Sequence, residues 1–300
     1  MGAACSKQRF GTLTADRLPA ETAIGAVALT VADLDRALAF YQDRLGFRVH
    51  RRDGGTVALG AGGPDLLLLT EDRAAHQIAG TTGLYHFAVL LPTRLDLARA
   101  LDRLARTGTP IQGASDHHVS EAIYLADPDG NGIEIYADRP RSAWAYAGSQ
   151  LQMGSDALDI DGLMGELAHA DQTWRGLPAG TVIGHVHLHV ADLDAAESFY
   201  TETLGFDLVT RLGRRAAFVS AGGYHHHIGM NTWAGVGAPA PPADATGLRH
   251  FVVDLPTTAA LETVARRLRE RHTTFESRDN EIVVLDPSAN RVIIRASSSD

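Results

Sequence analysis

Cysteine is nearly absent from this 300-residue chain; Cys5 is the single example, so no intrachain disulfide can form. A chain that folds without disulfides is expected in a reducing, cytoplasmic setting. No apolar run approaches the roughly 20 residues of a membrane span, so no membrane association is expected. The net charge of −9 is spread without any block of like charges, and no nucleic-acid-binding surface is expected either. The opening Met1-Gly2-Ala3-Ala4-Cys5-Ser6 formally fits a myristoylation pattern and has no secretory apolar region. Residues 1–21 are read more simply as a disordered tail. What is present is an ordinary globular composition, 45% hydrophobic and 21% charged, in a chain long enough for two domains.

The chain repeats itself. Val31-Ala32-Asp33-Leu34-Asp35 returns as Val190-Ala191-Asp192-Leu193-Asp194, an offset of 159 (190 − 31). Phe40-Tyr41, Leu45-Gly46-Phe47 and Asp127-Pro128 return as Phe199-Tyr200, Leu204-Gly205-Phe206 and Asp286-Pro287 at the same offset. A constant offset over so much chain marks a tandem duplication. Each half divides again. A strand at 24–31 precedes Asp33, which caps a helix at about 34–45, with Leu34, Leu38, Tyr41 and Leu45 on one face. Gly46 stops that helix, and short apolar runs follow at 47–51, 56–60 and 65–70. The pattern predicts four βαβββ modules, at 24–70, 84–137, 183–231 and 248–295, in an α+β fold. They make up two tandem domains, 22–137 and 182–296, joined by a linker (138–181) with a helix near 161–169.

Position within the repeat narrows the fourteen histidines. One slot in the first strand of each module holds Ala26, His86, His185 and His250 in turn. The last strand of module two carries Glu134 between Ile133 and Ile135; module four has Ile293 in that place. A carboxylate buried among isoleucines is costly unless paired or metal-bound, whereas on an exposed edge strand it would simply face water. If modules pair in chain order, each half is one ligand short. If module two pairs with three and one with four, His86, Glu134 and His185 meet, and Ala26, His250 and Ile293 form a dead counterpart. His187 lies two residues along the same strand face, so a slip of one step would make it the ligand instead of His185.

These features resemble the vicinal oxygen chelate superfamily, which is built of paired βαβββ modules around an open metal site. The resemblance runs from about residue 24 to 295. It looks closest to the bacterial catechol 2,3-dioxygenase type, on Ser120–Glu134 (SEAIYLADPDGNGIE) and Gly222–Gly229 (GGYHHHIG). It implies Fe(II), with Mn(II) possible, held by His86, Glu134 and His185. It also implies a small aromatic diol and O2 as substrates and ring cleavage beside the diol to a hydroxymuconic semialdehyde, and it allows a homo-oligomer. His227 matches the family's acid/base histidine beside the metal; His118, with His117 as its alternative, and Tyr124 match pocket positions. The departure is that many members carry all three ligands in the C-terminal domain, which Ile293 rules out here. Two other readings stand beside this one: a glyoxalase-like isomerase or lyase, which would want a second carboxylate, and a metal-free small-molecule-binding protein.

Overall fold

The computed structural model describes residues 17–148 and 150–296. Module one comprises β1 (Ala23–Val31), α1 (Leu34–Leu38), β2 (Arg48–Asp53), β3 (Thr56–Gly60) and β4 (Asp65–Glu71). Module two follows with β5 (Gly83–Leu90), α2 (Arg94–Arg106), β6 (Gly113–Asp116), β7 (Ser120–Ala126) and β8 (Gly132–Asp138). Between the halves lie the two-residue strands β9 (Tyr146–Ala147), β10 (Gln150–Leu151) and β11 (Asp156–Ala157), and helix α3 (Ile160–Gly165). Module three is β12 (Val182–His189), α4 (Leu193–Ser198), β13 (Asp207–Leu212), β14 (Ala216–Ser220) and β15 (Ile228–Asn231). Module four is β16 (Gly247–Leu255), α5 (Thr258–Glu270), β17 (Phe275–Arg278), β18 (Glu281–Leu285) and β19 (Arg291–Ala296).

Every module helix starts on a side-chain cap. Asp33, Thr93, Asp192 and Thr257 each accept a backbone N–H from the first turn, so the repeat preserves the cap as well as the apolar face. In modules one and three the helix continues past its α-helical turns as a wider π-helical stretch, Ala39–Arg44 and Phe199–Leu204. The sequence pattern predicted plain helix there. Each wide turn buries a tyrosine whose hydroxyl donates to the aspartate of the Asp-Pro turn in the following module. Tyr41 reaches Asp127 at 2.8 Å and Tyr200 reaches Asp286 at 3.0 Å.

The strands form two large mixed sheets. One has the order β17-β18-β19-β16-β1-β4-β3-β2, and the other β11-β6-β7-β8-β5-β12-β15-β14-β13. Module four thus joins module one, module two joins module three, and each sheet draws on both halves of the sequence. The central contacts, β1 with β16 and β5 with β12, are antiparallel. Within each module the first and last strands run parallel. Alternate residues, among them Val27, Leu29, Phe87, Ile133, Val186 and Phe251, face one continuous apolar core. The opposite face of β5, β8 and β12 is left for other use.

One expectation about the connecting segments changes. The proposed tail reached Glu21, but its last residues are docked. The Leu18 side chain is buried, its N–H donates to Gly205 at 3.0 Å, and Arg17 donates to the Phe206 carbonyl at 2.8 Å. Gly2 and Cys5 lie outside the described residues. The linker is packed as well: Trp144, Leu151 and Leu163 are buried, and β11 pairs with β6 at the sheet edge.

Candidate metal centre

Alternation along three adjacent strands builds the site. On β8, Ile133 and Ile135 face the core, so Glu134 faces the other way, beside Tyr136. On β5, Phe87 and Val89 face the core and His86 does not; on β12, Val186 and Leu188 do and His185 does not. Because β8 lies between β5 and β7, Glu134 is not on an edge strand. It is 3% exposed, with His86 at 6% and His185 at 1%. The Nε2 atoms of His86 and His185 each lie 3.1 Å from the same oxygen, Oε2 of Glu134. Burial by itself would raise the Glu134 carboxyl, but the neighbouring His185 and His86 outweigh it and hold it well below the usual carboxylate range. Burial lowers His185 to about 4 against the opposing pull of Glu134, so the imidazole is neutral and its lone pair is available.

This donor set fits a divalent metal. One ligand atom from each of the three residues can be chosen so that all lie within 4.8 Å of one another. His86 Nε2 is buried and makes no hydrogen bond, although it points at the carboxylate. An orphaned imidazole nitrogen so placed is costly in a hydrogen-bonded pair and ordinary in a ligand set. Two imidazoles and one carboxylate on one side leave coordination positions open, the pattern that suits non-haem iron.

A cavity of about 320 Å³ opens on His86 and Glu134. Val119, Met153, Leu212, Phe218 and Trp233 give it apolar walls, while His117, Tyr124, His225 and His226 give it polar ones. Among the described residues, no lysine or arginine lines it. Tyr124 packs against the His86 ring at 5.7 Å, and its hydroxyl lies 2.5 Å from His117 Nε2. Burial first, and then the charge of Glu134, push the Tyr124 phenol well above its ordinary range, so it stays protonated. A larger cleft of about 530 Å³, lined by Gln77, Tyr85, Asp129 and Trp233 among others, borders the same tryptophan but touches none of the three ligand residues.

The structure places the candidate pocket residues unevenly. Tyr124 lines the cavity. Of the histidine pair it is His117 that faces inward; His118 sits at a positive φ of 68°, turned outward to Asp156 at 2.7 Å. The register agrees: Gly113 pairs with Tyr124 and Tyr124 with Glu134, so alternation along β6 carries residue 117 to the Glu134 face and residue 118 away from it. His227 also lies off the cavity. Its Nδ1 accepts the Ala221 N–H at 3.1 Å and its ring packs near Tyr224 and Phe206. The family resemblance had pointed to His227, on the last strand of module three, but residues 225–227 are irregular chain ahead of β15. His226 takes the position instead, with its ring centroid 4.0 Å from that of His185. His187 does not replace His185. It packs among Tyr85, His86, Phe218 and Trp233, and its Nε2 has no hydrogen-bond partner.

The counterpart in the other sheet contains no such group. Ala28 pairs with His250 across β1 and β16, and Val252 lies beside Ile293, so no carboxylate stands where Glu134 stands. Module three supplies no fourth ligand either. Ala88 pairs with Glu134, and its counterpart His187 pairs with Gly229. A Cβ on Gly229 would come within 2.9 Å of the His187 ring, so the glycine leaves room for that imidazole. Sequence reasoning passed over Trp233, Met153, Leu212 and Asp138. They lie on loops or strand ends, and only the run of three histidines flagged that region.

Fold and site together define a paired-module protein with one open-faced centre of two histidines and a carboxylate. The family model described as the Glyoxalase/Bleomycin resistance protein/Dioxygenase superfamily matches residues 23–135 and again 182–292. The chain is 46% identical to the Catechol-2,3-dioxygenase of Bacillus subtilis (strain 168), over 91% of this chain and 96% of that one. Among solved structures, a putative dioxygenase from Bacillus subtilis aligns with a TM-score of 0.63 at 15% identity, covering 94% of this chain and 87% of that one. Glyoxalase I from Zea mays aligns at 0.55 and 17%, covering 92% of each; both likenesses concern the fold. The chain belongs to the glyoxalase/bleomycin resistance protein/dioxygenase superfamily.

Proposed function

We propose that this chain is an extradiol dioxygenase of the catechol 2,3-dioxygenase type. It would use O2 to open a catechol-type ring beside the diol, giving a hydroxymuconic semialdehyde. Fe(II) is the metal that this reading assigns, with Mn(II) as the alternative. The observation that carries the proposal is the convergence of His86, His185 and Glu134 on one buried point at the cavity. The 46% identity to a Catechol-2,3-dioxygenase supports it.

His86, Glu134 and His185 would hold the metal. Bound there, it would supply Lewis acidity and one-electron chemistry. The remaining tasks fall to the chain. His226, kept neutral by burial and lying against His185, is placed to take a proton from a diol hydroxyl at its ring nitrogen. Tyr124 stays protonated and donates its hydroxyl to Nε2 of His117, whose Nδ1–H goes to the Gly154 carbonyl, so it turns oxygen lone pairs toward the cavity. Val119, Met153, Leu212 and Phe218 exclude water and pack the ring. With no lysine or arginine among the described residues of the wall, a catechol bearing a carboxylate finds no cationic partner there, so unsubstituted or apolar-substituted catechols fit best.

A glyoxalase-type reaction would call for a second carboxylate, and Gly229 occupies that place. A metal-free binding protein would have no use for a buried carboxylate shared by two histidines. The deciding experiment is oxygen uptake by anaerobically prepared, Fe(II)-loaded protein with catechol. The expected result is stoichiometric uptake with a yellow ring-fission product, absent in Glu134→Ala. Iron-replete protein that consumes no oxygen with any catechol would overturn the reading.

A further inference from the structure

Asp138 ends the strand that carries Glu134, yet it lines neither the cavity nor the donor set. Its Oδ1 lies 2.9 Å from Nε2 of His225, and Nδ1 of His225 lies 2.9 Å from Nδ1 of His226. Two adjacent histidines facing each other through like-named nitrogens pose a proton-placement problem, because one must donate and the other accept. The carboxylate resolves it. A carboxylate only accepts, so His225 carries its proton on Nε2 and donates to Asp138. With that single ring proton given to Asp138, Nδ1 of His225 is a lone pair, and His226 must donate to it from Nδ1. That leaves Nε2 of His226 unprotonated.

We infer that Asp138 is a positioning residue which, through His225, fixes His226 in the tautomer that presents a bare Nε2. The inference rests on the reading of the cavity as a diol site, since a bare nitrogen matters there as a proton acceptor. The chain of three groups leads away from His185 toward the partly exposed Asp138, whose side chain is 26% accessible. Its last member, His226, lies against His185 with the rings tilted by 46° and lines the cavity. No hydrogen bond among the described residues occupies His226 Nε2. The proton step it permits is balanced: one O–H bond of the diol breaks, and one N–H bond forms at His226 Nε2. Without Asp138, His225 would be free to turn its proton to Nδ1, and His226 would then carry its own on Nε2 and meet the diol as a donor.

The test reads the tautomer directly. In zinc-loaded, ¹⁵N-histidine-labelled protein at neutral pH, two-bond ¹⁵N–¹H correlation spectra should show His226 protonated on Nδ1. The signal is identified by its loss in His226→Asn. Asp138→Ala should move His226 toward the Nε2–H form, and Asp138→Glu should restore the original one. A wild-type spectrum with His226 protonated on Nε2 overturns the inference, whether or not any variant folds. So does an unchanged spectrum in a folded Asp138→Ala. In the Fe(II)-loaded enzyme, kcat for catechol should fall about 10-fold or more in Asp138→Ala with KM little changed. Failure of the dioxygenase reading would remove turnover in every form yet leave the tautomer result standing.

Discussion

Glu134 sits where two imidazoles converge on one of its carboxylate oxygens. Replacing it by glutamine keeps the volume and removes the charge, so metal retained after gel filtration should fall far below one equivalent. His250→Ala, at the corresponding slot of the other sheet, should leave metal content at the wild-type level. Elemental analysis of the two variants side by side checks both outcomes. Protonation gives a second prediction at this scale. Burial lowers His185 and His250 to about 4 and His227 to about 3 in the folded chain. In the unfolded chain each returns to about 6.5. As pH falls below about 6.5, the unfolded state takes up protons that the native state refuses, so stability declines. That decline continues until the native histidines titrate, near 4 and then near 3. Urea midpoints of metal-free protein should therefore drop steadily from pH 7 to pH 4.5; a flat profile would contradict the assigned burial.

The recurring element is the helix whose wide turn carries a buried tyrosine. Tyr41 and Tyr200 occupy equivalent places in the duplication, and each donates to an aspartate that also accepts from an asparagine side chain and from backbone N–H groups. Tyr41 belongs to a module in one sheet and Asp127 to a module in the other, so this hydrogen bond ties the sheets together. Tyr41→Phe leaves the ring packing intact and removes only the donor. It should cost about 1–2 kcal/mol in urea unfolding, the range for a buried hydrogen bond to a charged or strongly polar acceptor, with metal content unchanged. The repeated tyrosine and aspartate were visible in the sequence as members of the 159-residue repeat, but their contact was not. Nothing in one-dimensional spacing shows that a helix of module one lies against a turn of module two.

At the scale of the molecule, the centre belongs to neither half. His86 and Glu134 come from the first half and His185 from the second, and they meet because β5 and β12 pair in the middle of one sheet. A fragment ending at residue 150, or one starting at residue 180, should bind no stoichiometric metal even if it folds. Mixing the two should restore binding to the extent that β5 and β12 re-pair, as titration of iron or zinc into each fragment and into the mixture would report.

The sequence by itself determined the elements, the duplication and the three residues that converge at the candidate centre. Periodicity fixes which side of each strand is apolar, and an acid or histidine on the other side of an apolar strand stands out. Slot-by-slot comparison also showed that only one pairing of modules assembles a full set of ligands. Tertiary structure decided what depends on irregular chain. Residues 225–227 lie outside any strand and His118 has a left-handed backbone; the resemblance pointed to His227 and left His118 and His117 open, and the fold places His226 and His117 at the cavity. The walls at Met153, Leu212 and Trp233 come from three separated segments, and the contact of Asp138 with His225 joins residues 87 positions apart. Such contacts are set by how the sheets close on one another, which local residue preferences do not encode.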